Sequence, residues 1–396
     1  MNQEAKKLIR KREEETIALG GEAAYRLKAL QNLKLKTVIK ESHATTVHTL
    51  GFNTIDPDCS NLFATVGGDQ ATVYDDSHMG DYIGVVVHFV NNKTEHAEGG
   101  ELQAAAWINC KEWTDHPHGD ACLAVAGGDP TISIISVVEA AVVKLLKGHT
   151  KDVVDLATTA KEPALLLSLS RDGNIRLWDV VNETCLASIT TSDATSIALS
   201  PDGRGIAVGT SRGRIMRYTI TKDDANSPFN ILEASKEEFK PQNGGGGHSE
   251  TIDCLSFLPD NRLATKSTDG RMIVWDVTRA EQKAAWKVPG CNGLGGFTSR
   301  CRFTVTVDGK YISVGNASGD CYVYDSETGK REAHVSAIKV SAPVRACALS
   351  QDCRHLIAAV GNGFLFRFEY LGESKSIEDA ENGNSNVENG AAEMDT

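Results

Sequence analysis

The sequence predicts an all-β fold built from seven similar units, preceded by a helical extension and followed by an acidic segment. One observation is a repeated strand ending, in which an aromatic or apolar residue is followed by Asp. These endings recur about every 40–50 residues, the spacing typical of a β-propeller. Turns rich in Gly, Asp and Asn separate short alternating apolar strands. The clear endings are Val73-Tyr74-Asp75, Leu177-Trp178-Asp179, Val274-Trp275-Asp276 and Val323-Tyr324-Asp325, and weaker ones lie at 132–135, 216–218 and 366–368.

One stretch shows how a unit is built. Residues 165–180, LLLSLSRDGNIRLWDV, contain an apolar strand, a charged turn and a second strand that ends on Trp-Asp. Arg171-Asp172-Gly173-Asn174 is predicted to be the hairpin turn, because Asp and Gly suit the backbone angles of such turns. The stretch therefore predicts two neighbouring strands of one blade.

Two units carry the same set of polar residues, in which Gly-His comes early, Asp lies in the turn and Trp comes late. His and Trp are separated by 29 residues in one unit and 27 in the other, and Asp precedes Trp by six in both. This double match resembles the WD-repeat family. The resemblance implies a buried hydrogen-bond chain from Asp to His, from His to a Ser or Thr, and from that hydroxyl to the Trp indole. The residues are His149, Asp172 and Trp178 with Ser168 or Ser170, and His248, Asp269 and Trp275 with Thr265 or Ser267.

Catalysis and metal binding are the alternatives for these polar groups. A Ser-His-Asp triad is disfavoured, because both sets occupy structural blade positions and no activated-nucleophile turn accompanies them. His116, His118 and Asp120 could ligate a metal, but a polar loop without partner cysteines is better read as solvated. The ten cysteines form no CxxC pair, which argues against a zinc ribbon. We predict a protein that is not an enzyme and has no cofactor or metal site.

Composition limits the classes of partner. The 396 residues carry a formal net charge of −12, with 41% hydrophobic and 24% charged residues. An acidic chain of this kind predicts no direct sequence-specific nucleic-acid binding. The charged start, MNQEAKKLIRKREEE, is unlike a secretory signal, and no apolar run of about 18 residues predicts a membrane span. The expected partners are proteins.

The two ends of the chain differ from its centre. Residues 1–34 are predicted to be a helical arm, with a break at Gly20-Gly21, and 35–371 the propeller. The strand at 35–40 is expected to pair with the last unit and so close the ring. Residues 372–396 contain seven acids and one base, which predicts a disordered acidic tail. We also interpret residues 222–247 as a loop inserted between blades.

A narrower resemblance covers residues 36–371. KESHATTVHTLGFN with LFATVGGDQATVYD, and APVRACALSQDCRHLIAAVGNGFLFRFEY, are similar to the first and last blades of the Polycomb WD-repeat family that includes EED. The resemblance extends to the WD domain of the leucine-rich-repeat protein associated with the origin recognition complex. It implies a nuclear, non-catalytic subunit of a histone methyltransferase complex, with a SET-domain subunit and histone tails as partners. The alternative is a nuclear or cytoplasmic WD-repeat adaptor in replication-origin association, a ubiquitin ligase or an RNA-protein complex.

The resemblance also implies a peptide-binding face. In the family this face carries an aromatic cage for trimethyl-lysine, which binds through cation–π contacts. Alignment places His48, Gln103, Ser299 and Arg300 at the cage positions. Arg300 would repel a trimethylammonium group, which argues against methyl-lysine recognition. For other partner contacts we predict a basic stretch on the arm and one exposed aromatic residue, namely Lys6, Lys7, Arg10, Lys11, Arg12 and Trp113.

Overall fold

The prediction of a seven-bladed WD-repeat β-propeller with a helical N-terminal extension is confirmed by a computed structural model of the chain. The described residues form seven sheets of four antiparallel strands each. The acidic tail from 373 onward, which the sequence predicts to be disordered, lies outside the described residues. The structure describes residues 3–78, 82–93, 99–109, 120–159, 165–221, 230–240, 246–291, 301–336 and 342–372.

The elements follow one another in a simple order. Helices α1 (Gln3–Ala18) and α2 (Glu22–Gln31) precede strand β1 (Lys34–Lys40). The first three blades are β2 (Val47–Phe52), β3 (Leu62–Gly67), β4 (Gln70–His78), β5 (Tyr82–Val90); β6 (Leu102–Asn109), β7 (Ala121–Gly127), β8 (Ile132–Ser136), β9 (Ala141–Leu146); and β10 (Val153–Thr158), β11 (Leu165–Ser170), β12 (Asn174–Asp179), β13 (Thr184–Thr190). The fourth and fifth are β14 (Ala194–Leu199), β15 (Gly205–Thr210), β16 (Ile215–Thr221), β17 (Asn230–Glu238); and β18 (Ile252–Phe257), β19 (Arg262–Ser267), β20 (Arg271–Asp276), β21 (Glu281–Lys287). The last two are β22 (Phe303–Val305), β23 (Tyr311–Gly315), β24 (Asp320–Asp325), β25 (Arg331–Ser336); and β26 (Val344–Leu349), β27 (His355–Val360), β28 (Phe364–Glu369) with β1.

The ring closes through the N-terminal strand, as predicted. Strand β1 lies antiparallel to β28, with Leu35 opposite Phe368 and Lys40 opposite Phe364. The last blade therefore takes its outermost strand from the start of the propeller. The innermost strands contact each other around the ring, and β2 contacts both β6 and β26. Closure leaves the innermost strands with only short edges, which are protected inside the ring.

The core lies between blades. Every residue of β11, LLLSLS, is buried, because the two faces of this strand pack against different neighbours. Leu166 belongs to an apolar cluster with Ile134 of the preceding blade, while Leu167 belongs to a cluster with Val208 of the following blade. A strand covered on both faces gives a continuous apolar run rather than strict alternation. This explains the three leucines at the start of the repeated motif.

The N-terminal helices pack on the end of the propeller where the innermost strands end. Arg26 of α2 pairs with Asp308, in the turn after β22, and Arg12 of α1 lies 3.5 Å from Asp352, in the turn after β26. Leu30 is only 1% exposed and joins a core cluster with residues of the last two blades. The helical prediction and its break at Gly20-Gly21 are confirmed. The division into arm, propeller and tail stays a prediction.

One prediction about a loop was wrong. Residues 222–247 contain β17, the outermost strand of the fourth blade, which places Ile231 opposite Ile220 and Glu238 opposite Met216. An outermost strand needs little apolar surface, because one edge lies free of the blade, so its charged sequence does not look like a strand.

The described part of the chain has no helix long and apolar enough to cross a membrane.

Candidate functional site

Six of the seven innermost strands contain a one-residue bulge at the same place, near their first residue. In β2, Val47 pairs with Gly67 and Thr49 with Val66, so His48 is the extra residue. In β6, Leu102 pairs with Gly127 and Ala104 with Ala126, which makes Gln103 the extra residue. Bulges re-aim side chains and are frequent beside functional sites. The equivalent residues of the other four strands are Val154, Thr195, Asp253 and Arg345.

The sixth blade places Arg302 at this position. Arg302 directly precedes β22, whose Phe303 pairs with Val314 as Thr49 pairs with Val66 in the first blade. We call these seven residues, at one end of the channel, the channel ring. Alignment by sequence placed Arg300 here, but Arg300 and Ser299 lie outside the described residues. Arg302 is identified as the ring residue by the register of β22, and the sequence does not show this register.

Arg302 spans the channel. Its Nη1 lies 2.7 Å from Oδ1 of Asp155 in the third blade, and its Nη2 donates to the carbonyl of Val154 at 3.3 Å. The second carboxylate oxygen of Asp155 accepts from the backbone N–H of Ile197 at 3.0 Å. Burial alone would lower the pKa of Arg302, but Asp155 outweighs it and raises that pKa. One ion pair thus joins the third and sixth blades and is braced by the fourth.

A cavity of about 480 Å³ lies beyond this pair. Phe52, Trp107 and Leu199 contribute apolar wall, and Arg302 and Asp155 lie at the end near the channel ring. The indole of Trp107 donates to the carbonyl of Gly51 at 3.1 Å, so it ties two neighbouring blades. Trp107 follows three alanines in the sequence, a pattern that favours core packing, and its side chain is buried. Arg302 therefore belongs both to the channel ring and to the wall of this cavity.

The other ring residues are mostly engaged within the protein. His48 Nε2 lies 3.0 Å from Oε1 of Glu101, which directly precedes the second blade. The carbonyl of Gln103 accepts from the hydroxyl of Thr49 at 2.9 Å. The structure thus brings His48 and Gln103 to neighbouring blades at the same end of the channel. Among the described ring residues there is no aromatic ring other than the imidazole of His48.

A second ion pair joins the ring residue Asp253 to Lys266, and it is fully enclosed by protein. Lys266 Nζ lies 2.7 Å from Oδ2 of Asp253, and the two side chains are 1% and 0% exposed. Burial would lower the pKa of Lys266, but Asp253 outweighs it and raises it. Neither residue stood out in the sequence, because a buried Lys cannot be told from a surface Lys without the fold. Because Asp253 is the extra residue of the bulge in β18, its contact with Lys266 holds that bulge in place.

The polar network of the third blade forms a single directed chain. Trp178 donates its indole N–H to Ser168 at 2.8 Å, Ser168 lies 2.7 Å from His149 Nε2, and His149 Nδ1 lies 2.8 Å from Asp172. Burial lowers the pKa of His149. Burial opposes ionisation of Asp172, but bonds from His149 and from the N–H groups of Thr150 and Asn174 lower its pKa to about 2. The chain ties the early His to the hairpin and the Trp strand.

The network of the fifth blade is longer by one residue. Trp275 donates to Thr265 at 2.9 Å, and Thr265 lies 2.7 Å from Nε2 of His248. Nδ1 of His248 lies 3.0 Å from Ser267, which in turn donates to Asp269. Asp269 therefore reaches His248 through Ser267 rather than directly, so both hydroxyls considered from the sequence take part. Burial, helped by the charge of Arg271, lowers the pKa of His248 to about 4.

A buried charged cluster lies where the last blade meets the first. His355 contacts Asp76 of the first blade, and Arg367 Nε lies 3.1 Å from the other oxygen of Asp76. Glu369 lies 3.8 Å from His355. Burial would lower the pKa of His355, but Asp76 outweighs it and raises it. The cluster adds an electrostatic clamp beside the closing strand.

The predicted partner-binding residues of the arm divide into two groups. Lys6, Lys7 and Arg10 are exposed on α1. Arg12 instead packs toward the protein, with Glu22 at 2.8 Å and its guanidinium over the ring of Tyr25. Lys11 is half-buried. Trp113, His116 and His118 lie outside the described residues, and the described residues contain no group of three or more potential ligands that could hold a metal ion.

Asp120 has a structural partner set. One of its oxygens accepts from the backbone N–H of Val138 at 3.1 Å, and the other accepts from the hydroxyl of Ser136. It therefore anchors the turn after β8. This role explains an acid at the start of a buried strand without invoking a metal.

Comparison with known proteins agrees with this geometry. The WD domain, G-beta repeat family matches residues 141–179 and 240–276, the two stretches that contain the polar networks. The chain is a seven-bladed propeller in which these two stretches match the WD repeat. It is 22% identical to Polycomb group protein FIE2 of Zea mays over 354 residues, covering 83% of this chain and 89% of that protein. Polycomb protein esc of Drosophila melanogaster is 23% identical over 369 residues, covering 85% of this chain and 84% of that protein. The predicted resemblance to the Polycomb WD-repeat proteins is confirmed at this low identity.

Proposed function

We propose that this protein is a non-catalytic WD-repeat scaffold of a nuclear, Polycomb-type histone methyltransferase complex. The observation that carries the proposal is that the likeness to Polycomb group proteins covers 83% and 85% of the chain, far more than a single repeat. A closed propeller offers preformed faces at both ends of its channel, so binding requires little backbone change. The partners proposed are a SET-domain methyltransferase subunit and histone tails.

The absence of catalysis is argued from access. Ser168, His149 and Asp172 have the contacts of a hydrolase triad. Ser168 is 0% exposed, however, and the indole of Trp178 also donates to its oxygen. A nucleophile must lie within reach of a substrate carbonyl, and here protein encloses it. These residues therefore serve stability, and the proposed function is binding.

The two ends of the channel have different chemistry. The arm covers part of one end, where Arg12 and Arg26 contact the turns of the last two blades. The other end carries the channel ring, with two arginines and with His48 paired to Glu101. A trimethylammonium group needs aromatic walls, and the described ring residues supply only one imidazole. We therefore propose that any histone contact at this ring uses polar and charged groups.

Affinity purification of the tagged full chain from its own cells, with mass spectrometry, tests the proposal. A matched variant carries K6E, K7E and R10E, which change exposed residues and leave the packed face of α1 intact. A control variant carries K147E, K151E and R212E, which are exposed in other loops. Recovery of a SET-domain methyltransferase supports the proposal. Its specific loss from the first variant would assign the arm to that contact.

The alternative is a WD-repeat adaptor in another assembly. Recovery of replication-origin proteins, a ubiquitin ligase or RNA-protein components, without a methyltransferase, would replace the Polycomb assignment. A tagged chain found only in the cytoplasm would also overturn it. The fold and its polar networks would stand in either case.

A further inference from the structure

The exposed face of α1 is basic between residues 6 and 11. Residues 8, 12, 15, 16 and 19 are half-buried, at the spacing of one helical face, while Lys6, Lys7 and Arg10 are exposed. Lys11 lies at the margin between the two faces. The positive end of the helix dipole lies at this same end of α1. The first half of the helix therefore presents a cationic surface, which we call the α1 basic face: Lys6, Lys7, Arg10 and Lys11.

Contacts with the propeller hold this surface in place. Glu15 accepts from the hydroxyl of Tyr370, which directly follows β28, and lies 3.6 Å from Nζ of Lys28 on α2. Tyr25 packs edge-on against Tyr370, with ring centroids 6.0 Å apart. Helix α1 is thus fixed against the residues that follow the last strand. The direction of the α1 basic face is set by the fold.

The chain leaves the propeller beside this helix. Gly372, with a φ of +74°, is the last described residue. A Cβ atom built on Gly372 would lie 3.4 Å from Oε2 of Glu15 and 3.7 Å from Nζ of Lys11. The described chain therefore ends beside the edge of the α1 basic face.

The charge of that segment is opposite to the charge of the face. Residues 373–396 contain seven acids and one base, and the first acid, Glu373, is the residue next to Gly372. From Lys11 back to Lys6 the helix rises by about 7.5 Å. Six extended residues span about 20 Å, so a segment that starts at Gly372 is long enough to bring Glu378 and Asp379 to any part of the face. A tether this short gives an effective concentration on the order of millimolar, which compensates for weak single contacts.

We propose that the α1 basic face is a binding surface for acidic polypeptide segments, and that its resting occupant is residues 373–396 of the same chain. An acidic segment of a partner must then displace this tail. The proposal rests on the position of Gly372 and on charge, and it does not depend on the Polycomb assignment. Its failure would leave the proposed function unchanged.

Zero-length carbodiimide cross-linking of the purified full chain at low ionic strength tests this, since it joins a lysine amine to a carboxylate in contact. The expected result is that tail peptides link to Lys6, Lys7 and Lys11 in preference to Lys147 and Lys151, which are exposed elsewhere. Two variants are compared with the wild type. One neutralises the tail with E373Q, E378Q, D379N, E381Q, E388Q, E393Q and D395N, and the other carries R10Q, which weakens the face without removing a reactive lysine.

The links should disappear in the neutralised tail and fall several-fold in R10Q, and should fall again at high salt because these charges are exposed. A mixture of isotope-labelled and unlabelled chains distinguishes the source. Links within one isotopic form support the proposal, whereas links between forms would mean that a second copy supplies the tail and would overturn it. Equal linking to Lys147 and Lys151, or no linking to α1, would also overturn it.

Discussion

Arg302 and Asp155 form a 2.7 Å ion pair that joins the innermost strands of the sixth and third blades. These strands lie on opposite sides of the channel, so the pair works as a strut. The side chains are 19% and 6% exposed, which shields them from solvent screening. Removing one partner of such a pair leaves an uncompensated charge.

We expect R302M and D155N each to lower the free energy of unfolding by about 3 kcal/mol. The double variant should lose less than the sum, because neither charge is then left alone. Urea unfolding of the four proteins measures the coupling. Lys147→Met, at an exposed loop position, is the control and should change little. Additive losses would show that the pair does not brace the channel.

The hydroxyl of Ser168 is the central group of the polar network in the third blade. Its oxygen contacts both the His149 ring and the Trp178 indole. S168A should lower the free energy of unfolding by about 2 kcal/mol, because it leaves buried polar groups without partners. S188A removes an exposed hydroxyl from β13 of the same blade and should be nearly neutral. Equal effects of the two variants would contradict the network's role, and thermal or urea unfolding measures them.

Protonation of His248 gives a prediction for pH. Its pKa is about 4 in the folded protein, below the ordinary histidine value of 6.5, so the unfolded chain binds a proton first as pH falls. Stability should therefore decrease between about pH 6.5 and 4, by about 3 kcal/mol from this residue, and change little from it below that range. H248Q should flatten the dependence of the free energy of unfolding on pH when unfolding is measured across this range.

The pKa of His355 is raised, so its stabilisation is present at low pH and is lost as pH rises through the folded value.

Truncations from the N-terminus should act in three steps. Removal of residues 1–20 loses α1 and should destabilise only modestly, since its contacts with Glu22 and Asp352 are partly exposed. Removal of 1–33 also loses buried Leu30, which should cost about 3 kcal/mol or more. Removal of 1–40 exposes the edge of β28 and should cause unfolding or aggregation. Circular dichroism and light scattering follow the three steps, and L30A serves as a point-variant control for the second. Equal stability of the two shorter truncations would contradict the role of α2.

Peptide binding at the channel ring gives a further test. We expect trimethyl-lysine peptides to bind no more tightly than the unmethylated peptides, because His48 and Gln103 do not form an aromatic cage. Fluorescence anisotropy with the two matched peptides measures the ratio. H48F should not create methyl-lysine selectivity by itself, since one aromatic wall does not enclose the cation. Preference of the wild type for the methylated peptide would overturn this account of the ring.

The repeat pattern predicted much of the architecture. Strand endings at Trp178 and Trp275 and the hairpin at Asp172 and Gly173 are local patterns, so the sequence shows them directly. The closing strand was predicted instead from the need of a propeller to close its ring. The strand at 230–238 was missed. An outermost strand has few apolar positions, and a charged stretch of this kind looks like a loop until its partner strand is known.

The sequence by itself determined the seven units and the His, Asp and Trp of both polar networks, because these depend on spacing along the chain. It also predicted the closing strand, because a propeller protects its edges by closing the ring. The choice of Ser168 over Ser170 came from the structure. Only the tertiary structure decided that Arg302, rather than a residue two positions earlier, occupies the ring position, since this depends on the register of β22. It also decided that Lys266 is buried against Asp253 and that the last described residue lies beside Lys11. These contacts join residues that are distant in the sequence and that only the folded propeller brings together, so no periodicity in the sequence predicts them.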